Sequence, residues 1–202
     1  MKNKMKNNVT IRWESDGLPH LIHKKGIRQA VKLHVPTVND MWFRQECMED
    51  PKTMKYNAGY DVKFDGYDYN TGCIAFPPEK HQTWVDEKLS DPNFYYAYIV
   101  DKKTNKFVGY LNIKKDPKTN DATMGIVVKD EFRGVGYMRP SMIQLLKVAK
   151  KMGVKRILDD VPENRAFAVK TFLSTGFIIK DKYITKKFGE DEVVCVIEKT
   201  IK

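Results

Sequence analysis

The segment Gly125-Ile126-Val127-Val128-Lys129-Asp130-Glu131-Phe132-Arg133-Gly134-Val135-Gly136-Tyr137-Met138 decides how this chain is read. Its apolar opening predicts a strand, and the strand runs into a short loop with two glycines. Beyond Gly136 the period changes: Met138, Met142, Leu145, Leu146, Ala149 and Met152 mark one face of a helix that stops at Gly153. Pro140 falls in the first turn of that helix, where a missing N–H costs little. A strand, a glycine turn and a helix start make a backbone device. Glycines let N–H groups crowd together, and the helix N-terminus adds unsatisfied donors and a positive dipole end. Such a turn can hold a diphosphate. The letters exclude two common phosphate loops: there is no Gly-Lys-Ser/Thr, and Gly134-Val-Gly136-Tyr-Met-Arg139 lacks the third glycine of a dinucleotide fingerprint.

Working upstream, Phe94–Val100, Phe107–Ile113 and Ala122–Val128 alternate with Asp/Asn/Lys turns and predict an antiparallel meander. Val9–Trp13 and Ile27–Val35 read as strands separated by a turn region with Gly17 and Pro19. Thr37 is placed to cap a helix that ends at Pro51, and Glu79–Leu89 predicts a short helix. Tyr56–Pro78 is aromatic, acidic and irregular. Downstream, Arg156–Leu158 predicts a strand, Asn164–Thr175 a helix ended by Gly176, and Phe177–Tyr183 and Val193–Glu198 two closing strands. The class is α+β: a largely antiparallel sheet with one βαβ crossover, in a single domain over residues 1–202.

The chain has 202 residues, a net charge of +10, and 42% apolar and 31% charged residues, an ordinary composition for a globular protein. The charge is uneven: residues 1–32 carry net +6, 33–98 net −5 and 99–202 net +9. That division suits one polyanionic and one cationic ligand better than a continuous phosphate track, which counts against nucleic acid as partner. There is no apolar run of membrane-spanning length, and the basic start Met1–Lys6 has no apolar stretch behind it; a cytoplasmic location is the expectation. Cys47, Cys73 and Cys195 form neither a disulfide framework nor a metal-ligand spacing, and His20, His23, His34 and His81 show none either.

The glycine segment resembles the coenzyme A loop of the GNAT superfamily of N-acyltransferases, whose pattern is Arg/Gln-x-x-Gly-x-Gly/Ala after an apolar strand. Arg133, Gly136 and Ile126-Val127-Val128 match, and Met138 stands where a small residue is usual. Asn164, Ala168, Phe172 and Gly176-Phe177 are similar to the family's second, helix-to-strand signature, with Asn164 to Gly176 one residue longer than usual. The resemblance covers about residues 94–182. It implies a GNAT-like fold, a mixed and mostly antiparallel sheet with helices on both faces, in which residues 94–182 bind acetyl-coenzyme A and residues 33–93 face the acceptor. It also implies that the strands ending at Val128 and Leu158 splay around the pantetheine arm. Backbone groups at Val127 and Val128 would hold that arm, and amides of Arg133, Gly134, Val135, Gly136, Tyr137 and Met138 the diphosphate. Asn164 and Phe172 would complete the cofactor site. The basic stretch Lys147, Lys150, Lys151, Lys155 and Arg156 is placed to meet the outer phosphate, or merely solvates a helix.

Transfer of an acetyl group to a primary amine by direct attack needs a general base. Asp159, just past Arg156–Leu158, is the first choice, with Asp160 and Asp121 as alternatives. Phe172 stands where many relatives carry a proton-donating Tyr. Either Tyr183, Ser174 or solvent then protonates the thiolate, or the chain is a coenzyme A-binding sensor without activity. Acceptor contacts are expected from Tyr60, Asp61, Asp65 and Asp68, since aromatics with acids suit a cationic amine. Their spacing does not fit a calcium loop, and no metal is expected. The expected partner is therefore a small-molecule or peptide amine, with a homodimer left open and a membrane excluded.

Overall fold

The computed structural model describes residues 9–13, 19–23 and 29–202, the first two segments as backbone only. Strands β1 (Val9–Trp13) and β2 (Pro19–His23) pair as a separate antiparallel hairpin. Residues 19–23 thus form a strand where the sequence predicts a turn region; Gly17 and Ile27 lie outside the described residues. Strand β3 is shorter than expected, Val31–His34. Asp40 accepts from the backbone and hydroxyl of Thr37 at 2.8 and 2.9 Å, opening a short 3-10 turn that leads into α1 (Met41–Glu49). Pro51 begins a second helical turn, α2 (Pro51–Met54), because Asp50 caps the amides of Lys52 and Thr53, both at 3.1 Å. Helix α3 spans His81–Lys88.

The meander follows as β4 (Phe94–Asp101), β5 (Phe107–Lys115) and β6 (Asp121–Val128). Helix α4 (Met138–Lys151) crosses over to β7 (Arg156–Pro162), and α5 (Ala166–Ser174) leads to the hairpin of β8 (Ile178–Lys187) and β9 (Glu190–Thr200). Gly153 and Gly176 close α4 and α5 at φ +69° and +87°, as their sequence positions predict. The main sheet has seven strands in the order β3-β4-β5-β6-β7-β9-β8, and only β6 and β7 run parallel.

Alternation along β4 sends Ala97 and Ile99 to one face and Tyr96 and Tyr98 to the other. The first face packs under α4 and α5 through Met142, Leu145, Ala149, Phe172 and Phe177. The second packs under α1 and α3 through Met41, Phe43, Cys47 and Trp84. Helices therefore cover both faces of a mostly antiparallel sheet. Among the described residues no helix is long and apolar enough to cross a membrane.

Candidate active site

The site begins with a fork. Strands β6 and β7 pair only at Asp121↔Arg156, Ala122↔Ile157 and Thr123↔Leu158. Beyond Leu158, β7 turns wholly to β9, pairing Asp159↔Ile197 through Pro162↔Val194, while Met124–Val128 stays with β5. The edge of β6 facing β7 is thus left without a strand partner from Met124 onward. Val127 and Val128 end it, facing opposite cores.

Asp159 is the first residue of β7 past the last paired one. It lies inside a strand that continues to Pro162, where the sequence places it just after a strand ending at Leu158. It shares a strand face with Ile157 and Val161, and its carboxylate accepts the Asp160 amide at 3.0 Å. Burial pushes its pKa up to about 7; the neighbouring Asp160 charge adds to this, and the Asp160 amide and Arg165 oppose it. Asp160 points the other way, exposed, accepting from the Tyr183 hydroxyl at 3.0 Å. Asp121 is tied to Arg156 at 2.5 Å and held below the usual carboxylate range by that contact. Asp159 combines a place at the fork with a pKa near neutrality.

Above the fork, Asp130–Phe132 make one 3-10 turn, and Gly134 and Gly136 follow at φ +77° and +96°, which a β-carbon would penalise. Among the described residues the amides of Gly134, Val135, Gly136, Tyr137 and Met138 find no protein acceptor. The Arg133 amide, expected with them, is spent on the Asp130 carbonyl at 3.0 Å. The Arg133 side chain also turns away from the open turn. It donates to the carbonyls of Val128 at 3.0 Å, Lys52 at 3.1 Å and Thr53 at 2.6 Å, and meets Asp130 at 3.2 Å. The buried Thr53 hydroxyl in turn accepts the Asp130 amide at 2.9 Å. Arg133 is therefore a clip between the turn and α2. Tyr137 anchors the other end, its ring in the core and its hydroxyl bound to the buried Asp101 carboxylate, which itself caps the amides of Lys103 and Thr104. Val135 remains exposed, and Met138 packs on the core.

Asn164 lies just before α5 rather than in it, and donates to Glu192 at 3.1 Å. Phe172 is buried edge-on against Phe177, ring centroids 5.2 Å apart, and carries no group that could protonate a thiolate. The Ser174 hydroxyl is spent on the Thr171 carbonyl and the Tyr183 hydroxyl on Asp160, leaving solvent of the proton sources named from sequence. Lys147 and Lys150 stand on the third and fourth turns of α4, roughly 13–18 Å along the helix from its start. There they line a separate groove of about 680 Å³ with Gly176, Ile178 and Ile201. Arg156 is bound by Asp121 and Glu198, so this basic stretch does not gather at the glycine turn.

The acceptor-side residues separate as well. Tyr60 reaches β9, its hydroxyl on the Glu192 carboxylate. Asp61 is exposed, Asp65 pairs with Lys80 at 2.6 Å, and Asp68 caps the amides of Asn70 and Thr71 at 2.8 and 2.9 Å. The latter two carboxylates are thus engaged on the outer side of the loop. The groups that line the inner wall come from distant segments. Lys187 donates to the Tyr56 carbonyl at 3.2 Å, lies 3.9 Å from Glu192 and sits over the Tyr60 ring at 5.0 Å. The Arg165 guanidinium stacks on the Tyr56 ring at 5.1 Å. The β8–β9 tip closes this wall: Phe188, at φ +51°, donates to the Gly59 carbonyl at 2.7 Å and packs edge-on against Tyr69. A β-carbon on Gly59 would come within 2.5 Å of the Phe188 ring, so only glycine lets the tip seat. Sequence reasoning placed Tyr56 in the aromatic acceptor block but missed Arg165, Lys187 and Glu192. No spacing signals residues assembled from three segments, although the unusual Phe188-Gly189 turn could have drawn attention to the tip.

Among the described residues no cluster of three or more His, Cys, Asp or Glu could hold a metal ion. No curated protein matches the chain by sequence. Solved structures share the fold at low identity. A spermidine N-acetyltransferase from Vibrio cholerae, in complex with coenzyme A and spermine, superposes with a TM-score of 0.70 at 14% identity, covering 85% of this chain and 95% of that one. A GNAT-family acetyltransferase from Streptococcus pneumoniae gives 0.68 at 15% identity, covering 85% and 100%. A protein from Salmonella typhimurium solved with its cofactor acetyl-coenzyme A gives 0.67 at 13%, covering 86% and 95%. The acetyltransferase (GNAT) family pattern itself matches residues 65–177, from the acceptor loop through the glycine turn to Phe177. By that match, spanning more than half of its length, the chain belongs to the GNAT acetyltransferase family.

Proposed function

We propose that this chain transfers an acetyl group from acetyl-coenzyme A to a primary amine by direct attack. The observation that carries the reading is the position of Asp159. A carboxylate with a pKa near 7 sits at the base of the fork, below a turn whose amides from Gly134 to Met138 have no protein acceptor. Those amides and the positive end of α4 suit a diphosphate. The unpartnered edge of β6 up to Val127 and Val128 suits the pantetheine arm, and the whole device fits the cofactor without a further side chain. When bound, acetyl-coenzyme A supplies the activated acetyl group.

The protein's part is to orient and to move a proton. An amine arrives as ammonium, and only its neutral form attacks. Asp159, ionised above about pH 7, takes that proton directly or through one water. The clip from Arg133 to Lys52 and Thr53 holds the glycine turn against the acceptor-side helix, fixing one binding surface relative to the other. With Phe172 buried and apolar, the departing thiolate takes its proton from solvent, which a thiol pKa near 8.5 tolerates.

The test is thiol release from acetyl-coenzyme A across a panel of primary amines, with product mass shift as a second readout. Turnover with at least one amine, rising through a limb near pH 7, is expected. Calorimetry showing cofactor binding, with no thiol released by any amine, would replace this reading with a coenzyme A sensor.

A further inference from the structure

Among the described residues Arg165 makes no ion pair, although the Asp159 and Glu192 carboxylates lie within electrostatic reach of it. Glu192 is fully committed: one oxygen accepts the Tyr60 hydroxyl and the other Asn164, with Lys187 3.9 Å away. Lys187 is also held by the Tyr56 carbonyl. Arg133 has turned its donors to backbone carbonyls and Asp130. Arg165 differs from these. Among the described residues its exposed side chain has neither a hydrogen bond nor an ion pair, and its guanidinium carbon lies over the Tyr56 ring, 5.1 Å from the centroid. Its N–H donors, unpaired among the described residues, match a carboxylate in bidentate fashion. The acids that would compensate a polycation are elsewhere, Asp65 on Lys80 and Asp68 on its own turn.

We infer that the acceptor is a zwitterion, a primary amine bearing a carboxylate, whose carboxylate is held by Arg165 on Tyr56 while its amine is directed to Asp159. The inference rests on the acetyl-transfer reading of the same fork. It makes Arg165 a specificity residue: it acts on the far end of the acceptor and leaves the reacting amine to Asp159.

The experiment pairs α-amino acids with the amines they give on loss of the carboxylate: phenylalanine with phenethylamine, ornithine with putrescine, lysine with cadaverine, and spermidine as a polycation. Thiol release is measured for the native protein and for Arg165→Gln and Arg165→Lys, with folding checked by circular dichroism. The native protein is expected to prefer carboxylate-bearing acceptors by about tenfold or more in kcat/KM, the worth of a good charge-assisted pair. Arg165→Gln should erase that preference through KM, Arg165→Lys should restore part of it, and both should leave the KM for acetyl-coenzyme A within about twofold. Better turnover of putrescine or spermidine, unchanged in Arg165→Gln, overturns the zwitterion while leaving the acetyltransferase intact. A raised KM for acetyl-coenzyme A with unchanged acceptor preference assigns Arg165 to the cofactor's phosphates and overturns it too. Silence with every amine removes the enzymatic reading itself, and this inference with it.

Discussion

The glycine turn and the acceptor wall lie on either side of one fork, yet they are built in opposite ways. The turn is local: five consecutive residues, Gly134 to Met138, present backbone amides, and two positive-φ glycines set their direction. The wall is assembled from Tyr56 and Tyr60, from Asn164 and Arg165, and from Lys187 and Glu192, three segments that meet only in the folded chain. Backbone chemistry at the turn suits a partner that is always the same. Side-chain chemistry at the wall can change residue by residue without disturbing the strands beneath it. From that difference we expect cofactor use and acceptor choice to be separable here.

The sharpest way to break that division is at Asp159, which belongs to neither side. Asp159→Asn should lower kcat by about 100- to 1,000-fold, as loss of a general base does, with the KM for acetyl-coenzyme A little changed. Its stability should move the other way. The folded-state pKa near 7 lies above the ordinary value of 3.8, so folded protein keeps a proton that unfolded chain gives up between those values. Stability therefore falls as pH rises through that window and stays lower above it. The Asn variant should melt a few degrees higher than the native protein at pH 8, and no higher at pH 4, by scanning calorimetry.

Next in size is the turn itself. Gly136→Val places a β-branched residue at φ +96° and should raise the KM for acetyl-coenzyme A about tenfold or more, since backbone strain there displaces the amides. Acceptor preference, compared as ratios of kcat/KM, should stay the same; a changed preference would show that the two sides are not separable.

Arg133→Lys tests the clip between them. A lysine cannot reproduce a fork that reaches the carbonyls of Val128, Lys52 and Thr53. The expected cost is about 1–2 kcal/mol, read as a melting temperature lower by roughly 3–6 °C for a domain of this size, with both KM values rising a few-fold together. The smallest effect is expected for Tyr60→Phe, which removes the hydroxyl from Glu192. The acceptor KM should rise about two- to threefold, the worth of one such hydrogen bond, with the KM for acetyl-coenzyme A unmoved.

Much of the fold was legible because its signals are short-ranged. The meander announced itself by alternation and Asn turns, with Asn105 and Asn120 at φ +56° and +60°, and α4 by its apolar stripe and closing glycine. Errors fell where a tertiary partner overrode the local pattern. Pro51 starts a helical turn because Asp50 caps it, and β7 runs on past Leu158 because β9 supplies the ladder that β6 no longer gives. The cofactor side of the site was readable down to the glycines, but not the fate of Arg133. Its letter is consistent with a phosphate contact, and only packing shows that the carbonyls of Val128, Lys52 and Thr53 and the Asp130 carboxylate accept from it.

By itself, then, the sequence determined most of the elements and the glycine turn, because each depends on spacing or on glycine's missing β-carbon. Tertiary structure alone decided which charges stay free. It spent Asp65 and Asp68 on neighbours, closed Glu192 among Tyr60, Asn164 and Lys187, and laid Arg165 open on Tyr56. The physical reason is that a charge's usefulness depends on what lies within about 4 Å of it, and across three distant segments that distance is fixed by the sheet.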